Sequence, residues 1–410
     1  MRRDTARVHR SASAGGGKLD GRAGPVNLRA RQRTCRNGLR PAARALVLCG
    51  LIFVAAPGCL RLSRPVGDVP PGEWTEHLGD AAHAAFINER VPATVRTAWD
   101  IDLGRGLEAA PIIHGDFILS AVSGGVIITA DARDGRRYWT RRFNGPVAGQ
   151  VLRAGSRVLF ATQHRNGTLY ALDLDRGRRL WSRRIGSPAV APPAYADSSI
   201  YFGTTRDVQA VDASDGSEIW RVRLTGPPAQ PPVVLRDEVL VAVRDTLFHL
   251  GRDDGARRAR VELPGEPSAP IAVRGDTLFV AMHPGIVAAY VDGGAREVWR
   301  HTLGALVVAA PVVTGDGVFV LTRAAELLRL DRYGARRVIA LEGAATESLT
   351  VTADGALVGT LDGRMVFVRR DGSVVWEERF DGSVRAPAVV RDGSVYVGTL
   401  KGRLVKLTAG

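Results

Sequence analysis

Beyond residue 59 the chain carries seven histidines: His77, His83, His114, His164, His249, His283 and His301. A zinc hydrolase sets two imidazoles one helical turn apart with a general base between them, as in HExxH, and no pair here has that spacing. Histidines so scattered are expected in structural or surface roles. The acid-rich turns Asp131–Gly135 and Asp212–Gly216 could offer oxygen to calcium, but a loop of the EF-hand kind needs ligands at alternate positions and a closing Glu, which both lack. Aspartate at these places is expected to bond its own turn backbone. Neither a GxSxG nucleophile elbow nor a GxxxxGK[ST] phosphate loop is present. Gly104-Arg105-Gly106 with Ala109 has part of a dinucleotide loop, yet no helical pattern follows, so it reads as a turn between strands. No catalytic, cofactor-binding or metal-binding residue is therefore assigned, no cofactor is expected, and the chain reads as a non-enzyme.

The cysteines point elsewhere. They are Cys35, Cys49 and Cys59, and residues 60–410 have none. Arg40 and Arg44 flank the apolar run Ala45–Ala56, and small residues lead into Cys59, which together read as a secretion signal. The run is shorter than the roughly 20 residues a membrane span needs. Ala56-Pro57-Gly58-Cys59 resembles a lipobox in the small residue before its cysteine and departs from one at Ala56 and Pro57. Cys59 is thus expected to be lipidated, with an uncleaved membrane anchor or a soluble secreted form as the alternatives. Leu60 in place of Asp, by resemblance to lipoproteins of diderm bacteria, directs the protein to the outer membrane. Residues 1–58 form the basic n-region and signal, and residues 59–72, rich in Pro and Gly, form a flexible tether.

The formal charge of +14 suggests nucleic acid until it is located. Residues 1–44 hold twelve Arg/Lys against Asp4 and Asp20, so residues 59–410 are left with a net charge of only +4. No nucleic-acid partner is expected. Arginine doublets, among them Arg136-Arg137, Arg141-Arg142, Arg178-Arg179, Arg183-Arg184, Arg257-Arg258 and Arg336-Arg337, flank what look like outer strands. They read as charge that blunts edge-to-edge pairing, with a basic rim for anionic lipid or polymer as the alternative.

The elements that would position any such group repeat along the chain. Trp99, Trp139, Trp181, Trp220, Trp299 and Trp376 each lie in a short β-like run, and Ala259 and, within a residue, Val338 fill the two skipped places. Eight equivalent positions about 39–40 residues apart give a propeller period. Within a unit, a proline such as Pro111, Pro193, Pro232, Pro270, Pro311 or Pro387 opens the first strand, where no ladder donor is needed. A second strand such as Val395–Gly398 follows, then a third, then an Asp-Gly turn such as Asp215-Gly216, then the strand with the tryptophan. The last unit stops before its tryptophan strand, and the first tryptophan strand, Val95–Leu103, has no preceding three. Together they make one blade, so the fold class is all-β: an eight-bladed propeller of four-stranded antiparallel blades over residues 95–410, closed by its N-terminal strand. The tryptophans are expected to dock between blades.

Ala171-x-Asp173-x-x-x-Gly177-x-x-x-Trp181 and Ala210-x-Asp212-x-x-x-Gly216-x-x-x-Trp220 resemble the tryptophan-docking repeats of PQQ-type β-propellers. By that resemblance Trp74 and Gly79-Asp80 belong to a lead-in, residues 73–94, with a short helix near Ala81–Arg90. Quinoprotein dehydrogenases of this repeat use a vicinal cysteine pair, which the propeller lacks. A ring behind a lipoprotein signal resembles the BamB-type subunits of outer-membrane β-barrel assembly. The resemblance implies a non-catalytic scaffold, lipid-anchored on the periplasmic face, whose partner is the barrel-assembly machine. A ligand-binding or sensory propeller at the cell surface is the second reading.

Overall fold

The computed structural model describes residues 86–410. The basic n-region, Cys59, the tether, Trp74 and residues 73–85 of the lead-in lie outside the described residues.

Short strands bounded by left-handed turns dominate because apolar runs of five or six residues recur between Gly and Asp. Eight antiparallel sheets follow one another in sequence. The first blade comprises Ile112–His114, Phe117–Val122, Val126–Asp131 and Arg137–Arg142. The second (Leu152–Arg184) through the seventh (Ala345–Arg379) repeat this order of four strands joined by hairpins. In each, the two middle strands are nearly all buried and the last alternates between exposed and covered positions. Alternation marks a strand with one covered face, and continuous burial marks one covered on both. The prolines immediately precede or lie just ahead of the innermost strands.

The eighth blade is built from both ends of the ring. Val389–Arg391, Ser394–Gly398 and Arg403–Ala409 supply three strands, and Val95–Asp102 pairs antiparallel along Arg403–Ala409 as the fourth. The register runs from Val95 opposite Ala409 to Asp102 opposite Arg403. The ring is an eight-bladed propeller, closed by its N-terminal strand. Ile87, Leu107, Val389 and Leu404 lie in one apolar cluster that spans the closing blade and its neighbours.

A helix was expected near Ala81–Arg90. The described part of that range contains none: Phe86–Ile87 is a strand, parallel to the innermost strand of the seventh blade, with Phe86 opposite Val351. Alanines favour helix there, but Ile87 gains burial to 1 % exposure against the sheet edge, and tertiary contact overrides local propensity. The chain then crosses to the eighth blade, fixed by the Glu89 carbonyl, which accepts from the Ala353 amide, and by the Val91 amide, which donates to Asp354.

Candidate functional site

The outermost strands carry an interblade belt. Each tryptophan indole leans over the turn of the following blade and donates through Nε1 to a carbonyl there: Trp99 to Ala132 (3.3 Å), Trp139 to Leu174 (2.8 Å), Trp181 to Ala213 (3.2 Å) and Trp220 to Arg252 (2.7 Å). The turn glycine beneath the indole permits this approach. At Gly177, whose φ is +62°, a Cβ would stand 2.7 Å from the Trp139 ring. Trp376 faces the eighth blade, whose outermost strand, Val95–Asp102, is not joined to the third by a hairpin turn; Pro92, just ahead of that strand, supplies the carbonyl instead at 3.0 Å. In the fifth blade the bond passes from Trp299 to His301, whose Nε2 donates to the Asp331 carbonyl at 2.5 Å while the two rings lie 5.0 Å apart.

At the fourth blade, where Ala259 replaces tryptophan, the paired residue on the third strand is His249. Elsewhere the residue opposite tryptophan is often small: Thr129, Ala171, Ala210 and Ala289. Here size is exchanged across the pair. His249, fully buried, donates from Nε2 to Gly293 of the next blade at 2.7 Å and meets Glu238 through Nδ1 at 2.8 Å. The histidine has a structural place, joining two blades as the indoles do.

Aspartates in the turns bond their own backbone. Asp212 accepts from the Ser214 amide, Asp215 from Ser217 and Asp254 from Ala256. Asp131 accepts from the Arg133 side chain, from the Tyr138 hydroxyl at 2.6 Å and from the Arg133 amide, and these bonds hold its carboxyl well below the usual range. Sequence reasoning missed a further device. Thr162, Thr204, Thr322, Thr360 and Thr399, all fully buried, stand at or one residue beyond the ends of the second strands, and each hydroxyl accepts an amide from the start of the third strand. Their recurrence at the unit period was the available signal.

Around the axis the blades are stitched by side chains that reach the neighbour's backbone. Gln150 donates to Ala110 at 2.9 Å, Ser268 to Val307 at 3.1 Å and Ser348 to Ala386 at 2.9 Å. These loops enclose a funnel of about 410 Å³. Alanine, proline and valine dominate its wall, with exposed Glu108, Arg323, Glu347 and Arg385 adding charge. Gln150 Oε1 is buried without a partner.

Propellers of this kind include quinone enzymes, so the funnel must be tested for fit. A quinone held flat with a cation needs an aromatic or sulfur face and converging carboxylates. The wall has no aromatic residue, and Glu108 and Glu347 are its only acids, the latter 3.9 Å from Arg385. Among the described residues no three His, Cys, Asp or Glu side chains come together as a metal site requires. These residues do not fit that cofactor.

The family described as outer membrane protein assembly factor BamB matches residues 88–191, 165–257 and 245–410, which together cover every blade. The chain belongs to this BamB-type family. A curated relative, the outer membrane protein assembly factor BamB of Burkholderia pseudomallei (strain K96243), is 27 % identical over 118 residues, 28 % of this chain and 31 % of the relative. That match spans less than a third of either protein. Among solved structures, BamB from Moraxella catarrhalis superposes with a TM-score of 0.63 at 18 % identity, over 77 % of this chain and all of that one. A europium-containing methanol dehydrogenase superposes with a TM-score of 0.70 at 12 % identity, over 82 % and 98 %. At such identities both likenesses show the fold alone, and the BamB-type ring is common ground between a scaffold and an enzyme.

Proposed function

We propose that this BamB-type propeller is a non-catalytic scaffold in outer-membrane β-barrel assembly, tethered through Cys59 to the periplasmic face of the outer membrane. The observation that carries the reading is the match of the BamB-type family along the whole ring. The apolar run ending at Cys59 supports the tether, and the misfit of the funnel to a quinone supports a role without redox chemistry. A ring clamped at rim and axis offers rigid loops, and rigid surfaces bind without the cost of ordering. The test is affinity isolation of the tagged full chain from detergent-solubilised native membranes, read by mass spectrometry. Recovery of the barrel-assembly proteins is expected. Their absence, with the protein shown folded and lipidated, overturns the reading.

A second reading, a periplasmic ligand-binding propeller, draws on the buried, unpartnered Gln150 Oε1 at the funnel wall. It expects small-molecule thermal stabilisation that Gln150→Leu abolishes.

A further inference from the structure

The near-neutrality of residues 59–410 conceals a polarised rim. Residues 136–184, from the outermost strand of the first blade to that of the second, hold twelve arginines and two aspartates, so the remainder of residues 59–410 is net negative. The two outermost strands in this arc, Arg137–Arg142 and Arg179–Arg184, have six arginines and no acid. Their counterparts in the seventh and eighth blades, Val374–Arg379 and Val95–Asp102, have two arginines against Glu377, Glu378, Asp100 and Asp102. Edge protection alone does not account for the contrast, because every outermost strand is an edge. Some of the cations are engaged: Arg141 with carbonyls of the second blade, Arg183 with Glu218. Among the described residues the guanidinium groups of Arg136, Arg142, Arg179 and Arg184 are exposed and have no hydrogen-bond or ion-pair partner.

A second observation falls on the same arc. Leu180, just ahead of Trp181, is 47 % exposed, and Ile219, in the same place on the adjoining third blade, is 43 % exposed. Between the first two blades lies a groove of about 500 Å³ with Phe143 and Tyr170 at its floor and Arg142 and Arg179 at its lip. Free cations interleaved with protruding aliphatic groups, over an amphipathic groove, are the arrangement that an interfacial bilayer surface takes.

We propose that this arc of the rim docks edge-on against an anionic phospholipid surface. The free guanidiniums sit among lipid phosphates, and Leu180 and Ile219 enter the headgroup layer. The chain between Cys59 and Phe86 can extend to about 90 Å, so a ring held to a membrane by its N-terminal segment can lay its rim on that membrane. The proposal does not rest on the assembly reading.

The test uses the full chain reconstituted into vesicles of phosphatidylcholine alone or with about one-third phosphatidylglycerol. Arginines are labelled with a dicarbonyl reagent and read by peptide mass spectrometry. Labelling of Arg136, Arg142, Arg179 and Arg184 is expected to fall about threefold on the anionic vesicles only, and to recover in about 1 M salt, where screening is nearly complete. Arg323, on the funnel loops, keeps its labelling. In the variant Arg142→Gln/Arg179→Gln/Arg184→Gln, which changes only exposed, unpaired side chains, Arg136 loses its dependence on lipid charge. Equal labelling on both vesicles overturns the proposal. So does protection that needs no vesicle and grows with protein concentration, which assigns the arc to a second copy of the chain.

Discussion

His249 is the residue whose role is most exposed to test. It bonds Glu238 within its own blade and Gly293 in the next, and both partners are buried around it. His249→Ala strands a carboxyl and a carbonyl, and the expected loss is about 3 kcal/mol in chemical denaturation. His249→Phe fills the volume without the bonds; a loss nearly as large shows that the bonds matter more than the space. Asp131 gives a pH signature. Its folded carboxyl is held well below the ordinary value by the Arg133 side chain and the Tyr138 hydroxyl. A depressed carboxyl stabilises the fold above the unfolded value of about 3.9 and loses that contribution as pH falls toward the folded one. Asp131→Asn is therefore expected to lower the melting temperature at neutral pH, with the gap between variant and parent narrowing below about pH 4. A gap that stays constant to acid pH refutes this.

At the scale of elements, the closing strand is decisive. Val95–Asp102 covers Leu404, Val405 and Leu407, and Pro92 just ahead of it receives Trp376. Deleting residues 95–102 is expected to lower the melting temperature by well over the few degrees that a single small defect costs in a chain of this size. An unchanged melting temperature argues against closure by this strand. The period, the blade order and the eighth blade's mixed origin were legible in the sequence because tryptophan, Asp-Gly turns and opening prolines each have one favoured place in a blade. The described end of the lead-in, Phe86–Ile87, departs from the expected helix because the neighbouring alanines speak for helix in the sequence, while what decides these two residues, a free edge on Val351 and Thr352, is some 260 residues away. The threonine clamps were easily overlooked for a different reason: threonine is an ordinary strand residue, so its recurrence does not by itself say that the hydroxyl accepts an amide. The arginine doublets raised a basic rim as the alternative in the sequence, but the sum of charges hid its polarity, which shows when residues 136–184 are placed on two adjoining blades.

The described ring is held at two radii, by indoles and His249 on the outside and by Gln150, Ser268 and Ser348 near the axis. The join between first and last strands sets a condition on how such a molecule can be made. Val95 is made more than three hundred residues before its partner Ala409. No blade between them can complete the circle, so until Arg403–Ala409 is made the closing strand stays unmated, with its backbone donors and acceptors open to any neighbour. Closing a loop of more than three hundred residues is slow beside the hairpins that form within each blade. Maturation of the ring is thus gated by arrival of Arg403–Ala409, and a chain without that strand loses the partner its closing strand has waited for.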